Sequence, residues 1–195
     1  MLNSEFLTAA YGRLRDNYGW TTSFASDPNQ SEPTVWSGNA FVDSPAQRSM
    51  IDRRSSDNNF FCVSIMASQD KKKRSKDHFV RQAVLLADDA SPDEIFGTPS
   101  YIFETSPGNY QIGIFLDKTD PDAANRPLID AVLQRMAASN LINADSSGNN
   151  VVRYGRLPLG CNTKQRDSGV FHTKVIFADL EASYSLADAV ATFGL

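Results

Sequence analysis

Chemistry in this chain can begin at Asp88 and Asp89, two carboxylates that close the run Gln82-Ala83-Val84-Leu85-Leu86-Ala87. Adjacent carboxylates repel each other unless a cation or a basic neighbour lies between them. Hard divalent ions such as Mg²⁺ accept oxygen ligands of this kind, commonly one or two carboxylates completed by substrate phosphates. A second cluster runs from Glu104 through Thr105-Ser106-Pro107-Gly108-Asn109-Tyr110 to Gln111. A turn of this composition can face its amide N–H groups to a phosphate, and Gln111 on the outgoing strand can reach a bound nucleotide. A third begins at Asp145-Ser146-Ser147-Gly148 and continues from Arg153 to Lys164. There Arg156, Asn162 and Lys164 surround a Pro/Gly turn, a spacing suited to gripping phosphate oxygens and sugar hydroxyls. Each cluster alone also reads as ordinary turn or surface-loop chemistry, so their placement decides.

The charge distribution sharpens the pattern. Between Arg53 and Arg81 stand eight basic residues, among them Lys71, Lys72, Lys73, Arg74 and Lys76, against Asp57, Asp70 and Asp77. The formal net charge of -4 therefore conceals a basic segment followed by the acids Asp88, Asp89, Asp93 and Glu94. The bland reading is a solvated loop beside a solvated turn, and the sharper one is an anion-attracting surface beside a metal-holding cluster. A chain of 195 residues, 41% of them hydrophobic, buries about 70% of its unfolded surface and folds without metal or disulfide. No run of a dozen apolar residues exists, and Asn3, Ser4 and Glu5 spoil a signal peptide, which points to a cytoplasmic protein without a membrane partner. Cys62 and Cys161 form no CxxC pair and only His78 and His172 offer imidazole, so a structural zinc site is not expected.

The elements that must position these residues follow from periodicity. Phe6, Leu7, Ala10, Tyr11 and Leu14 predict a helix over the first fifteen residues. Residues 18–39 read as loop with a short strand near Trp20–Phe24. Ser44-Pro45 opens a helix to about Arg54. Phe60–Met66 and Gln82–Ala87 predict buried strands separated by the basic loop. Strands at 100–104 and 110–116 flank a Pro-Gly-Asn hairpin turn. Asp120-Pro121 predicts a helix to about Asn140, followed by strands at 151–157 and 172–178 and a helix from Ser185 to Phe193. The result is an α+β arrangement with a mixed or antiparallel sheet: a smaller helical and loop part over 1–59 packed on a core over 60–195. The stop directly after the last helix suggests an N-terminal domain of a longer protein.

Taken together and in order, the three clusters resemble those of RepB-type primase domains of plasmids, phages and other mobile elements, in the archaeo-eukaryotic primase superfamily. Leu85-Leu86-Ala87-Asp88-Asp89 is similar to their first motif and Pro99 to Gln111 to their second. Arg156-Leu157-Pro158-Leu159-Gly160-Cys161-Asn162-Thr163-Lys164 resembles the signature after the third, with Asp145 where the family carries its last acid. The resemblance runs from about Phe60 to the C-terminus. It implies a sheet like that of RNA-recognition modules with flanking helices, and primer synthesis from NTPs or dNTPs on single-stranded DNA. It implies Mg²⁺ or Mn²⁺ held by Asp88, Asp89 and Asp145, nucleotide contacts from Ser106, Gln111, Arg156, Asn162 and Lys164, and template phosphates tracked by Lys71, Lys72, Lys73, Arg74 and Lys76. A helicase in the same chain or in trans is a further implied partner.

Two departures from the family pattern carry structural consequences. The superfamily spaces its first two acids by one residue, so that both face one side of the strand. Here they are adjacent, so either the strand bends or bulges at Asp88 or only one of the two binds metal. Gln111 stands where a histidine usually meets the triphosphate, and its amide can hydrogen-bond a phosphate but adds no charge. The rival to an enzyme is a catalytically weak module of the same fold that binds single-stranded or origin DNA for a helicase. A rolling-circle nuclease would need closely paired histidines, which this chain lacks.

Overall fold

A computed structural model of the chain describes residues 1–29, 33–67, 73–142, 144, 150–164 and 169–195. Helix α1 (Asn3–Tyr11) is shorter than the expected fifteen residues because Gly12 takes a φ of 64° and ends it. The strands in chain order are β1 (Gly19–Phe24), β2 (Asn39–Phe41), β3 (Asn58–Cys62), β4 (Ser64–Met66), β5 (Phe79–Gln82) and β6 (Val84–Ala90). After them come β7 (Tyr101–Ser106), β8 (Asn109–Phe115), β9 (Tyr154–Arg156), β10 (Cys161–Asn162), β11 (Phe171–His172) and β12 (Lys174–Ala178). Helices α2 (Pro45–Asp52), α3 (Arg126–Ala138) and α4 (Leu186–Thr192) complete the set.

Two four-stranded antiparallel sheets, ordered β2-β1-β3-β9 and β12-β7-β8-β6, carry the molecule, with the ribbons β4-β5 and β10-β11 between and beside them. The alternation of side chains along β6 explains how they join. Val84 and Leu86 face a core shared with Phe61, Val63, Tyr101 and Phe103, into which α1 inserts Phe6 and Leu7. Leu85 and Ala87 face the opposite core, with Ile112 and Ile114, under Ile129, Leu133 and Met136 of α3 and Leu186 of α4. Phe6 is packed edge-on against both Phe61 and Tyr101 at 5.0 Å between ring centroids, so the first helix is built into the centre.

Several elements differ from the sequence expectation for identifiable reasons. The apolar run Phe60–Met66 is two strands in different sheets, broken at Val63, whose carbonyl accepts from both Ala83 and Val84 N–H groups. Asp120 caps only a 3₁₀ turn over Pro121–Ala124, and the long helix starts at Arg126 with Asn125 as its cap. Pro127 suits this start, because in the first turn the N–H it lacks would have no partner within the helix. The strand expected over 151–157 is confined to Tyr154–Arg156. Strands β2, β5 and β10 are short and of mixed polarity, and only their partners across the sheet make them strands. Caps at Ser44 and Ser185 form as expected, each hydroxyl accepting from a backbone N–H three residues on. Among the described residues no helix is long and apolar enough to cross a membrane.

Candidate active cleft

Asp88 sits on the same side of β6 as Val84 and Leu86, at the mouth of a cleft of about 810 Å³ where the two sheets meet. By strict alternation Asp89 would follow Leu85 and Ala87 into the helix-covered core, where an unpaired carboxylate is prohibitively costly. The chain avoids this with a β-bulge. Pairing with β8 passes from Asp88–Gln111 directly to Ala90–Tyr110, and Asp89 takes a φ of 57° as the extra residue. Ala90 then fills the core position, and both acids line the cleft.

The Asp88 carboxylate is held from two directions. Its Oδ1 accepts from Gln111 Nε2 at 2.9 Å and its Oδ2 from Arg153 Nη2 at 3.2 Å. Arg153, whose side chain is 4% exposed, also donates to the Leu86 carbonyl at 3.3 Å, so its guanidinium is fixed across the end of β6. Gln111 is 5% exposed and uses its other end as well, accepting from the Arg156 N–H at 2.8 Å. The amide therefore has one orientation and staples β6, β8 and β9 together. Asp89 has its carboxyl raised above the ordinary range, first by partial desolvation in the cleft and then by the neighbouring Asp88 charge; Lys164, Arg153 and Arg156 oppose the shift.

Arg156 lies in β9 and is 5% exposed. Its Nη1 donates to the Cys161 carbonyl at 2.9 Å and to Asn58 Oδ1 at 3.4 Å, and the guanidinium lies 4.7 Å from the centre of the Phe60 ring. Burial pushes it down to about 10, against the attraction of Asp88. Asn58, fully buried, also donates to Thr163 Oγ1 at 2.8 Å and thereby anchors the turn after β9. Asn162 donates to the Thr105 carbonyl at 2.9 Å and accepts from the Lys164 N–H at 3.1 Å, which ties β10 to β7 and sends the Lys164 side chain to the cleft. Ser106, at the hairpin, accepts from Asn109 Nδ2 at 2.8 Å on the same wall.

All of the sequence-predicted residues that the structure describes in the first three clusters thus converge: Asp88, Asp89, Ser106, Gln111, Arg156, Asn162 and Lys164 line one cleft. Asp145, Lys71 and Lys72 lie outside the described residues. Of the rest of the basic loop, Lys73 and Lys76 are exposed, and Tyr18 Oη donates to the Lys73 carbonyl at 3.0 Å. Arg74 reaches into the cleft itself, donating to the Val152 carbonyl with its guanidinium 4.1 Å above the Tyr154 ring. Sequence reasoning gave no role to Arg153, nor to Trp36, Phe60 and Tyr154, which also line the cleft. Arg153 carried no clear signal, because in the strand expected over 151–157 a residue three positions from Arg156 falls on the opposite face; Trp36, in a Pro- and Ser-rich stretch, carried none either.

Among the described residues no group of three acid, histidine or cysteine side chains converges to hold a metal ion. The pair Asp88 and Asp89 nonetheless suits a hard divalent cation. Both carboxylates line the same cleft, and two carboxylates completed by substrate oxygens are an ordinary Mg²⁺ donor set.

The arrangement of antiparallel sheets and flanking helices is similar to the fold of solved primase and primase-polymerase domains. Three solved structures share it. The catalytic domain of primase RepB′ in complex with initiator DNA matches over all of this chain and 94% of its own, with a TM-score of 0.58 and 15% identity. The primase-polymerase domain of cyanophage S-2L matches over 96% of this chain and 94% of its own, with a TM-score of 0.60 and 10% identity. Against the longer primase RepB′ chain the TM-score is 0.55 at 16% identity, and this chain spans 61% of that length. No family model and no curated protein matches the sequence.

Proposed function

We propose that the chain is a primase or primase-polymerase domain of a plasmid, phage or related replication protein, performing template-directed nucleotidyl transfer on single-stranded DNA. The observation that carries this reading is the bulge that delivers both Asp88 and Asp89 to a cleft also lined by Arg153, Arg156 and Lys164. Acids beside several fixed cations are the donor set for a metal-bound triphosphate, whose charge neither sign alone would balance. The neighbouring folds include a primase bound to initiator DNA, which supports a DNA substrate.

Asp88 and Asp89, joined by Asp145, would hold Mg²⁺ or Mn²⁺. Such an ion, when bound, lowers the pKa of an attacking hydroxyl and neutralises charge on a triphosphate. The protein's own groups do the rest. Gln111 and Arg153 fix the Asp88 carboxylate so that no reorientation is needed during reaction. Lys164 and Arg156 draw the polyphosphate to the Asp89 side of the cleft, and Ser106 and Asn162 shape the wall beside Lys164. Lys73, Arg74 and Lys76, with Lys71 and Lys72, supply charge for the phosphates of the template.

The test is de novo synthesis on single-stranded DNA with labelled NTPs and dNTPs, comparing Mg²⁺ with Mn²⁺. Incorporation by the parent and its loss in Asp88→Asn, Asp89→Asn and Asp145→Asn is the expected result. One observation favours a second reading, a catalytically weak module that binds single-stranded or origin DNA for an attached helicase: Arg153 already neutralises Asp88. Strand binding without incorporation of any nucleotide would select that reading.

A further inference from the structure

Beside its charged groups the cleft carries an aromatic wall. Trp36 ends a 3₁₀ turn over Pro33–Trp36 and remains half-buried, as does Tyr154 at the start of β9. Beneath them Phe24 and Phe60 are buried, with ring centroids 4.8 Å and 5.1 Å from Trp36. Tyr154 lies 5.9 Å from Trp36, inclined by 36°, and its Oη donates to the Trp36 carbonyl at 3.0 Å. The two partly open rings are therefore fixed relative to each other on a packed base. Arg74, the cation stacked on this wall, belongs to the basic segment that also exposes Lys73 and Lys76.

Packing alone accounts for Phe24 and Phe60 but leaves unexplained why two large rings and a planar guanidinium are kept at the margin of a polar cleft. Single strands are held by the combination of a basic track for phosphates and aromatic faces on which bases stack. We propose that Trp36, Tyr154 and Arg74 form a stacking platform for a nucleobase of the bound single-stranded DNA. This inference rests on the primase-fold reading of the same cleft. The platform belongs to the strand, and not to the base of an incoming nucleotide, because its cation continues the basic segment. Lys164, by contrast, belongs to the wall formed with Ser106 and Asn162. Stacking uses the face of any base, so the platform holds the strand without reading its sequence.

The experiment is a fluorescence titration of the parent protein with oligothymidylate and with an abasic strand of the same length, over a range of salt concentrations. Trp20 is 7% exposed, so strand-dependent quenching reports Trp36. Oligothymidylate should quench the emission and the abasic strand should not. Trp36→Leu and Tyr154→Leu should each weaken binding by about five- to a hundred-fold with the salt slope unchanged. Lys73→Ala with Lys76→Ala should instead flatten that slope. Trp36→Phe and Tyr154→Phe keep the rings and should retain most of the affinity, which separates lost stacking from lost folding. Quenching by a nucleoside triphosphate alone, or folded leucine variants that bind as the parent does, would overturn the platform. A parent that makes primers with its Trp36 emission unchanged would overturn the platform alone. A parent that binds no single strand would overturn the proposed function together with it.

Discussion

Asp89→Asn should make the protein more stable while removing its proposed activity. Asp89 is exposed, yet its carboxyl is raised by partial desolvation and by Asp88, so its charged form is a net burden on the folded state. A like-charge pair at contact range costs about 1 kcal/mol in water-like surroundings and about 4 kcal/mol at an effective dielectric near 20. Exposure, together with the facing cations Lys164, Arg153 and Arg156, places the relief at the lower end, about 0.5–1 kcal/mol. For a chain of this size that raises Tm by about 1–4 °C. Asparagine also tolerates the left-handed backbone at φ 57°, whereas alanine there costs about 1–2 kcal/mol and should cancel the gain in Asp89→Ala. The folded state binds the Asp89 proton more tightly than the unfolded chain does. Its favourable contribution is therefore complete below the ordinary carboxylate range and lost as pH rises through the raised value. The advantage of Asp89→Asn should consequently appear at neutral pH and vanish in acid. Thermal melts followed by circular dichroism, without divalent ions, read this directly. Adding Mg²⁺ should raise the Tm of the parent and shift that of Asp89→Asn much less. An Asp89→Asn protein that melts at or below the parent at neutral pH, or one whose advantage persists in acid, would refute the reasoning.

Gln111→Leu should cost about 1–3 kcal/mol, because it strips a partner from both the Asp88 carboxylate and the buried Arg156 N–H; chemical denaturation measures this, and a neutral effect would mean the staple carries no load. Asn58→Ala should be more damaging, about 2–4 kcal/mol, since it removes a fully buried amide that serves Thr163, the Phe24 carbonyl and Arg156 at once. Gly113→Ala should destabilise by about 1–3 kcal/mol or more, because a Cβ there would lie 2.1 Å from the Tyr101 ring. Tyr101→Phe should be neutral to slightly stabilising, since the Tyr101 hydroxyl is buried without a hydrogen-bond partner. A marked fall in the denaturation midpoint of Tyr101→Phe would contradict that reading.

Residue types alone singled out groups that the structure brings together. An apolar strand ending in two acids, a Ser-Pro-Gly-Asn hairpin and a Pro/Gly turn set among Arg156, Asn162 and Lys164 are local patterns, and the structure brings them to one cleft. The fold class and the capped helices were readable for the same reason: serine caps and apolar periodicity act over a few residues. What the chain could not disclose is how adjacent acids share a face. The alternation of a strand sends them apart, and the choice of a bulge depends on the α3 core that excludes Asp89 and accepts Ala90. The partner of Asp88 was equally hidden, because Arg153 is 65 residues away and meets it only where β9 joins the sheet of β3. Gln111 read as a phosphate contact, but its amide is engaged at both ends by Asp88 and Arg156. Sequence determined which groups could do chemistry and on which kinds of element they lie. Tertiary structure alone decided which charges are balanced and which aromatic rings stay open at the cleft, because those outcomes are set by burial and by contacts between distant strands.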